Sequence, residues 1–177
     1  EAIEQARENN YEFEIVLDNK IANQPSIHAT HFQKILTFLC KHPDYELVTE
    51  ESDRETLDIR AKHNSQRRLT IIGKANVLRY CQQNRVSSNM DNSMLIKKVN
   101  VNRVRIEEYP FRANVNQETN IHKEDRLALY HKELKNAEKS FRYKKRYSFL
   151  NTKKTHRIDM SIVKESKRDV YTKTFYE

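Results

Sequence analysis

The sequence predicts a mainly β, α+β domain: an antiparallel barrel or sandwich of roughly eight strands with two or three outer helices. Short apolar–polar alternations recur along most of the chain. Turn-like joins connect them in place of a strand–helix–strand rhythm, and helical spacing is confined to a few segments. A length of 177 residues suits one domain.

The elements follow in order. In Tyr11 to Leu17 (YEFEIVL), Tyr11, Phe13, Ile15 and Leu17 share one strand face, while Glu12, Glu14 and Val16 share the other. Pro25 and Ser26 precede a segment in which Phe32, Ile35, Leu36 and Leu39 recur at helical spacing, so a helix is expected from near residue 26 to before Pro43. Strand-like runs at Leu57 to Lys62 and Arg67 to Ile72, with a turn at Asn64 and Ser65, predict a hairpin. A short helix is expected at Ala75 to Gln83, a loop at Val86 to Asn92 and a charged, helical stretch at Ile121 to Lys139. Strand alternation returns between the last two segments and after residue 140.

Composition excludes several classes. Gly73 is the only glycine, which rules out a Walker loop or a dinucleotide fingerprint, so any phosphate chemistry must use side chains. Lys plus Arg total 33 against 25 Asp plus Glu, a formal charge of +8, which favours a polyanionic partner such as nucleic acid or polyphosphate. Cys40 and Cys81 lack CxxC spacing, so neither a disulfide framework nor a zinc site is indicated, and a reducing intracellular compartment is expected. Both are read as buried packing residues. His28 and His31, one helical turn apart without a third ligand nearby, are read as surface or helix-packing residues. There is no apolar run long enough for a transmembrane helix and no signal peptide, so no membrane association is expected. The first residue is Glu1, which suggests an excised domain.

Several strands pair an apolar face with one dense in charge. In FRYKKRYSF, Arg142, Lys144, Arg146 and Ser148 oppose Phe141, Tyr143, Tyr147 and Phe149, with Lys145 as the exception. In HRIDMSIVK, Arg157, Asp159 and Ser161 oppose Ile158, Met160 and Ile162; in FRANVNQE, Arg112, Asn114, Asn116 and Glu118 alternate with Phe111, Ala113 and Val115. Arg68 and Thr70 share a weaker version of the pattern. One such strand alone is an ordinary amphipathic strand with its charged face in water. Like charges spaced roughly 7 Å apart repel, so their repetition points to a bound polyanion. Glu12 and Glu14 also leave one face roughly 7 Å apart, a spacing suited to a hydrated Mg²⁺ or Mn²⁺.

The YEFEI strand resembles the first metal motif of the triphosphate tunnel metalloenzymes. FRANVNQE resembles their R-x-S-x-N-x-E strand, and RYKKRYSF with HRIDMSIVK resembles their R-x-K-x-R-x-S and R-I-D-x-T-x-V-K pair. The resemblance runs from Glu12 to Lys164 and is nearest to the RNA triphosphatase domains of fungal and giant-virus capping enzymes. It implies an eight-stranded antiparallel β tunnel with inward charged faces. Glu12 and Glu14 would be metal ligands for Mg²⁺ or Mn²⁺. Arg112, Arg142, Lys144, Arg146 and Arg157, with Arg68, would bind phosphate oxygens, Lys144 and Arg146 also acting in catalysis. Glu118 and Asp159 would orient the attacking water or the basic side chains. Two departures stand out: Asn114 replaces the usual serine, and a second E-x-E motif expected near the C-terminus is absent, so the domain is expected to stop before its last strand, which Phe175 to Glu177 would open.

The activity implied is removal of the γ-phosphate from an RNA 5′-triphosphate end, the first step of cap formation, with guanylyltransferase and methyltransferase domains expected in the full-length protein. Two alternatives stay open: a tripolyphosphatase or NTPase of the same fold acting on inorganic polyphosphate or free nucleotides, and a catalytically silent, basic RNA-binding module. A composition heavy in Lys, Asn and Ile is compatible with a giant virus, placing the protein in the cytoplasm, a viral factory or a virion.

Overall fold

The computed structural model describes residues 11–17, 27–49, 55–87, 91–106 and 111–166. The helix start expected near residue 26, the middle of the Val86 to Asn92 loop and the Phe175 to Glu177 segment lie outside the described residues.

Among the described residues, eight strands form an antiparallel sheet: β1 (Glu12–Leu17), β2 (Tyr45–Leu47), β3 (Glu55–Ala61), β4 (Asn64–Ile72), β5 (Ser93–Ile106), β6 (Phe111–Asn120), β7 (Lys139–Asn151) and β8 (Arg157–Ser166). They hydrogen-bond in the order β1-β6-β5-β4-β3-β7-β2, with β8 on β7. The helices are α1 (Ala29–Lys41), α2 (Lys74–Gln83) and α3 (Lys123–Leu129), the last running into a π-helical turn at Tyr130–Leu134. This is the mainly β, α+β class that the alternating segments predict. Among the described residues no helix is long and apolar enough to cross a membrane.

The chain divides into two compact units: Glu1–Lys41 with Lys98–Thr119, and His42–Lys97 with Asn120–Glu177. In the first, β1 pairs with β6 so that Glu12 faces Asn116 and Glu14 faces Asn114, while Phe13 faces Val115 and Ile15 faces Ala113. The strand period therefore gathers Glu12, Glu14, Arg112, Asn114, Asn116 and Glu118 on one side. In α1 the stripe Phe32, Ile35, Leu36 and Leu39 is its sheltered side, as the spacing requires. His28 Nδ1 accepts the Thr30 backbone N–H at 3.3 Å, an N-terminal helix contact that fits a packing histidine. Cys40 is exposed, contrary to the buried role expected of it, because it lies off the sheltered stripe.

In the second unit the apolar faces of β3, β4, β5 and β7 supply Leu57, Ile59, Leu69, Ile71, Leu95 and Phe141, closed over by Val77 and Tyr80 of α2 and by Tyr130 and Leu134. Cys81 is half-buried against this core. Each fully buried Leu or Ile contributes about 1.5–3 kcal/mol from burial alone. The connection from β4 to α2 turns on Gly73, whose φ of 88° is open to glycine and costly for other residues. Its N–H donates to the Glu55 carbonyl at 2.8 Å. Asn84 closes α2 in the left-handed region and donates its N–H to the Tyr80 carbonyl.

Two boundaries differ from the sequence reading. The β3–β4 turn sits at Lys62 and His63, not Asn64 and Ser65: Asn64 already pairs with Ala61, and Lys62 is tied to Glu138 by a backbone bond and an ion pair. The stretch Ile121 to Lys139 is helical only to Leu134, because Lys139 joins β7 opposite Ala61.

Candidate functional site

In the second unit, the face of β3, β4, β7 and β8 opposite the core carries the charge. Register places Asp58 across from both Arg142 and Thr70, Arg146 across from Ser161, and Ser148 across from Asp159. Strand parity adds Arg60, Arg68, Lys144, Arg157 and Glu165 to the same face. The cations Arg60, Arg68, Arg142, Lys144, Arg146 and Arg157 thus outnumber the carboxylates Asp58, Asp159 and Glu165.

Asp58 is the anchor. It is 1 % exposed, and Lys144 Nζ lies 2.5 Å from its Oδ2. Thr70 Oγ1 donates to Oδ1 at 2.8 Å, and Arg68 Nε stands 3.8 Å from the same oxygen. Burial acts to raise the Asp58 carboxyl, but Lys144 and Arg68 outweigh it and hold it below the ordinary aspartate value. The Lys144 ammonium is itself held below the ordinary lysine value, first by burial and then by Arg68 and Arg146, despite the attraction of Asp58. Burial, then repulsion from Arg68, likewise lowers the Arg60 guanidinium. Arg60 Nε is buried without a hydrogen-bond acceptor among the described residues. These cations are crowded and desolvated, a state that an anion with several oxygens relieves.

Asp159 organises the other end of the face. Its Oδ2 lies 3.3 Å from Arg146 Nη1 and accepts from Arg157 Nη2 at 3.0 Å, while Ser148 Oγ donates to Oδ1 at 2.7 Å. Arg142 Nε lies 2.7 Å from Glu165 Oε1. Lys145, on the opposite face, lies 5.9 Å over the Tyr147 ring. The structure therefore brings together Arg68, Arg142, Lys144, Arg146, Arg157 and Asp159.

In the first unit, Glu12 and Glu118 meet at one ammonium: Lys98 Nζ stands 2.6 Å from Glu12 Oε2 and 2.9 Å from Glu118 Oε1. Burial acts to lower the Lys98 value, but the hydrogen bonds it donates to Glu12 and Glu118 raise it above the ordinary lysine value. Glu14 is drawn elsewhere and accepts from Asn114 Nδ2 at 3.4 Å, while Asn114 Oδ1 accepts from Arg103 Nε at 3.2 Å. Asn100 Nδ2 donates to Asn116 Oδ1 at 3.0 Å. Arg112 stands half-buried opposite Val16 on the same side.

Sequence reasoning missed Asp58, Arg60 and Lys98. Asp58 and Arg60 alternate with Leu57, Ile59 and Ala61, so applying the strand period to that hairpin arm would have found them. Lys98 and Asn100 alternate with Val99 and Val101 in the same way.

Among the described residues no group of three or more His, Cys, Asp or Glu side chains is placed to hold a metal ion. The donor chemistry still suits a hard divalent cation. Mg²⁺ is commonly held by one or two carboxylates with retained waters, and Glu12 and Glu118 direct oxygens at a common positive charge.

No protein-family profile matches the chain, and no curated protein sequence does. Among solved structures, the triclinic form of the Mimivirus capping enzyme triphosphatase is 17% identical, with a TM-score of 0.62, covering 96% of this chain and 77% of that one. Its monoclinic form is also 17% identical, with a TM-score of 0.63, covering 93% and 76%. Across nearly its whole length, the chain shares its fold with the Mimivirus capping enzyme triphosphatase.

Proposed function

We propose that this protein is a metal-dependent RNA 5′-triphosphatase, removing the γ-phosphate of nascent mRNA as the first step of cap formation, ahead of guanylyltransferase and methyltransferase steps. The observation that carries the reading is the crowding of Arg60, Arg68, Arg142, Lys144 and Arg146 about a buried Asp58 on one sheet face. The likeness of fold to a capping enzyme triphosphatase supports it.

In this mechanism Lys144, Arg142, Arg146 and Arg68 bind the phosphate oxygens and offset the charge that grows on the transferring group. Asp58 keeps Lys144 and Arg68 extended toward the substrate, and Asp159 fixes Arg146 and Arg157. In the first unit, Arg112 is a further cation on the strand face that carries Glu12 and Glu14. Glu12 and Glu118, with Glu14 beside them, are the residues that would hold Mg²⁺ or Mn²⁺. When bound, the ion supplies charge neutralisation and helps activate the attacking water. No covalent intermediate is needed.

The test is release of orthophosphate from triphosphate-ended RNA in Mg²⁺ or Mn²⁺, set beside ATP and inorganic tripolyphosphate. Preference for the RNA end is the expected result. Preference for tripolyphosphate or ATP moves the assignment to a tunnel enzyme of that specificity, and no release from any of the three overturns it. Salt-sensitive RNA binding that survives Glu12→Gln unchanged, with no hydrolysis, identifies a silent binding module instead.

A further inference from the structure

Lys98 is held closely by two carboxylates of the first unit. Its ammonium is 2.6 Å from Glu12 and 2.9 Å from Glu118, and its side chain is 26% exposed. We propose that Lys98 is a built-in counter-ion, occupying in the metal-free protein the place between Glu12 and Glu118 that a divalent cation takes, so that cation entry and release of Lys98 are a single exchange. The inference rests on the proposal that this acidic cluster is the metal site.

Three features support it. The ammonium contacts two carboxylates from strands far apart in sequence, as an ion between them would. A divalent ion bonds oxygen at about 2.0–2.1 Å for Mg²⁺, so it and the ammonium cannot share these oxygens without close cation–cation repulsion. Lysine carries its charge on a flexible four-carbon stem with rotatable donors, so the head can leave while the backbone of β5 stays paired. The exchange keeps the carboxylates from repelling one another before metal arrives, and it weakens metal affinity by the work of displacing the ammonium.

The test is Mn²⁺ affinity, measured by titration calorimetry and by the paramagnetic resonance of free Mn²⁺, on the wild-type protein, Lys98→Met, Lys98→Arg and Glu12→Gln. The midpoint of thermal unfolding is followed with and without the ion. Lys98→Met is expected to bind Mn²⁺ at least about tenfold tighter, a modest share of the interaction between unit charges near a protein surface. It should also show a larger rise in unfolding midpoint on adding the ion. Lys98→Arg, which keeps the charge, should bind like wild type. Lys98→Met binding no tighter, while Glu12→Gln abolishes wild-type binding, overturns the exchange and leaves the metal site standing. Binding by wild type that is indifferent to Glu12→Gln overturns both. Should Lys98→Met fail to fold without metal, Lys98→Gln is the second variant, with the same two outcomes.

Discussion

Breaking the Asp58–Lys144 pair should be costly, and removing both partners together should not. Asp58 is 1 % exposed and the Lys144 side chain 10%, so both charges were taken from water. With Asp58→Leu, Lys144 is left buried beside Arg68 and Arg146 with no opposing carboxylate at contact distance among the described residues. Losing one partner of such a buried pair costs about 3–5 kcal/mol. Lys144→Met should cost less, about 1–3 kcal/mol, because Asp58 keeps Thr70 and Arg68. The double variant Asp58→Leu, Lys144→Met trades two desolvated charges for apolar volume, a change that is often neutral to stabilising by about 1–4 kcal/mol. Urea unfolding followed by circular dichroism in phosphate-free buffer measures all four corners of the cycle, and the expected coupling energy is about 4 kcal/mol or more, because the single losses together reach about 4–8 kcal/mol while the double variant loses none. If the double variant loses the sum of the single losses to within about 0.5 kcal/mol, the two charges do not depend on one another and the argument fails.

Arg146→Ala should lower phosphate release by about 10²-fold or more, as loss of a charge-stabilising donor does, while Lys145→Ala, on the opposite face, stays within about twofold of wild type; equal losses would place the strand faces wrongly. Glu12→Gln should abolish metal-stimulated hydrolysis while the circular dichroism spectrum is retained, and undiminished activity removes Glu12 from the metal site. Asp58 has a folded-state value below its unfolded one, so its stabilising contribution is complete above the ordinary aspartate range and is lost as pH falls through the folded value. The stability gap between wild type and Asp58→Asn should therefore be flat near neutrality and shrink below about pH 4, and a gap that widens on acidification contradicts the assignment. Gly73→Ala should cost about 1–3 kcal/mol in unfolding free energy, since a φ of 88° strains any side chain with a Cβ; an unchanged urea midpoint would show the turn to be adaptable.

Much of the sheet is legible from alternation alone. Phe141 and Phe149 are buried and Arg142, Lys144 and Arg146 share the other face because a strand has a period of two and these residues keep it without interruption. The convergence of side chains is another matter. That Glu12 lies opposite Asn116 and that Glu118 meets Lys98 depends on pairing between strands distant along the chain, which no local pattern records. Glu14 reads as the twin of Glu12 in sequence, yet it is engaged by the Asn114 amide. Asp58 escaped notice as one carboxylate inside an apolar hairpin arm, and its importance arises from Lys144, which only β3–β7 register brings to it.

The polar positions of β5 run Lys98, Asn100, Asn102 and then Arg103, Arg105, so the strand changes phase midway. Asn100 Nδ2 donates to Asn116 and Arg103 Nε to Asn114, three steps along β5 for two along β6. Reading frame within the strand thus matters as much as residue identity. Excising Asn102 would restore unbroken alternation with Arg103 on the side of Asn100, whereas a deletion nearer the start of β5 would send every later side chain to the opposite side, so there a deletion scan of folding yield should be harsher than any alanine scan of the same positions.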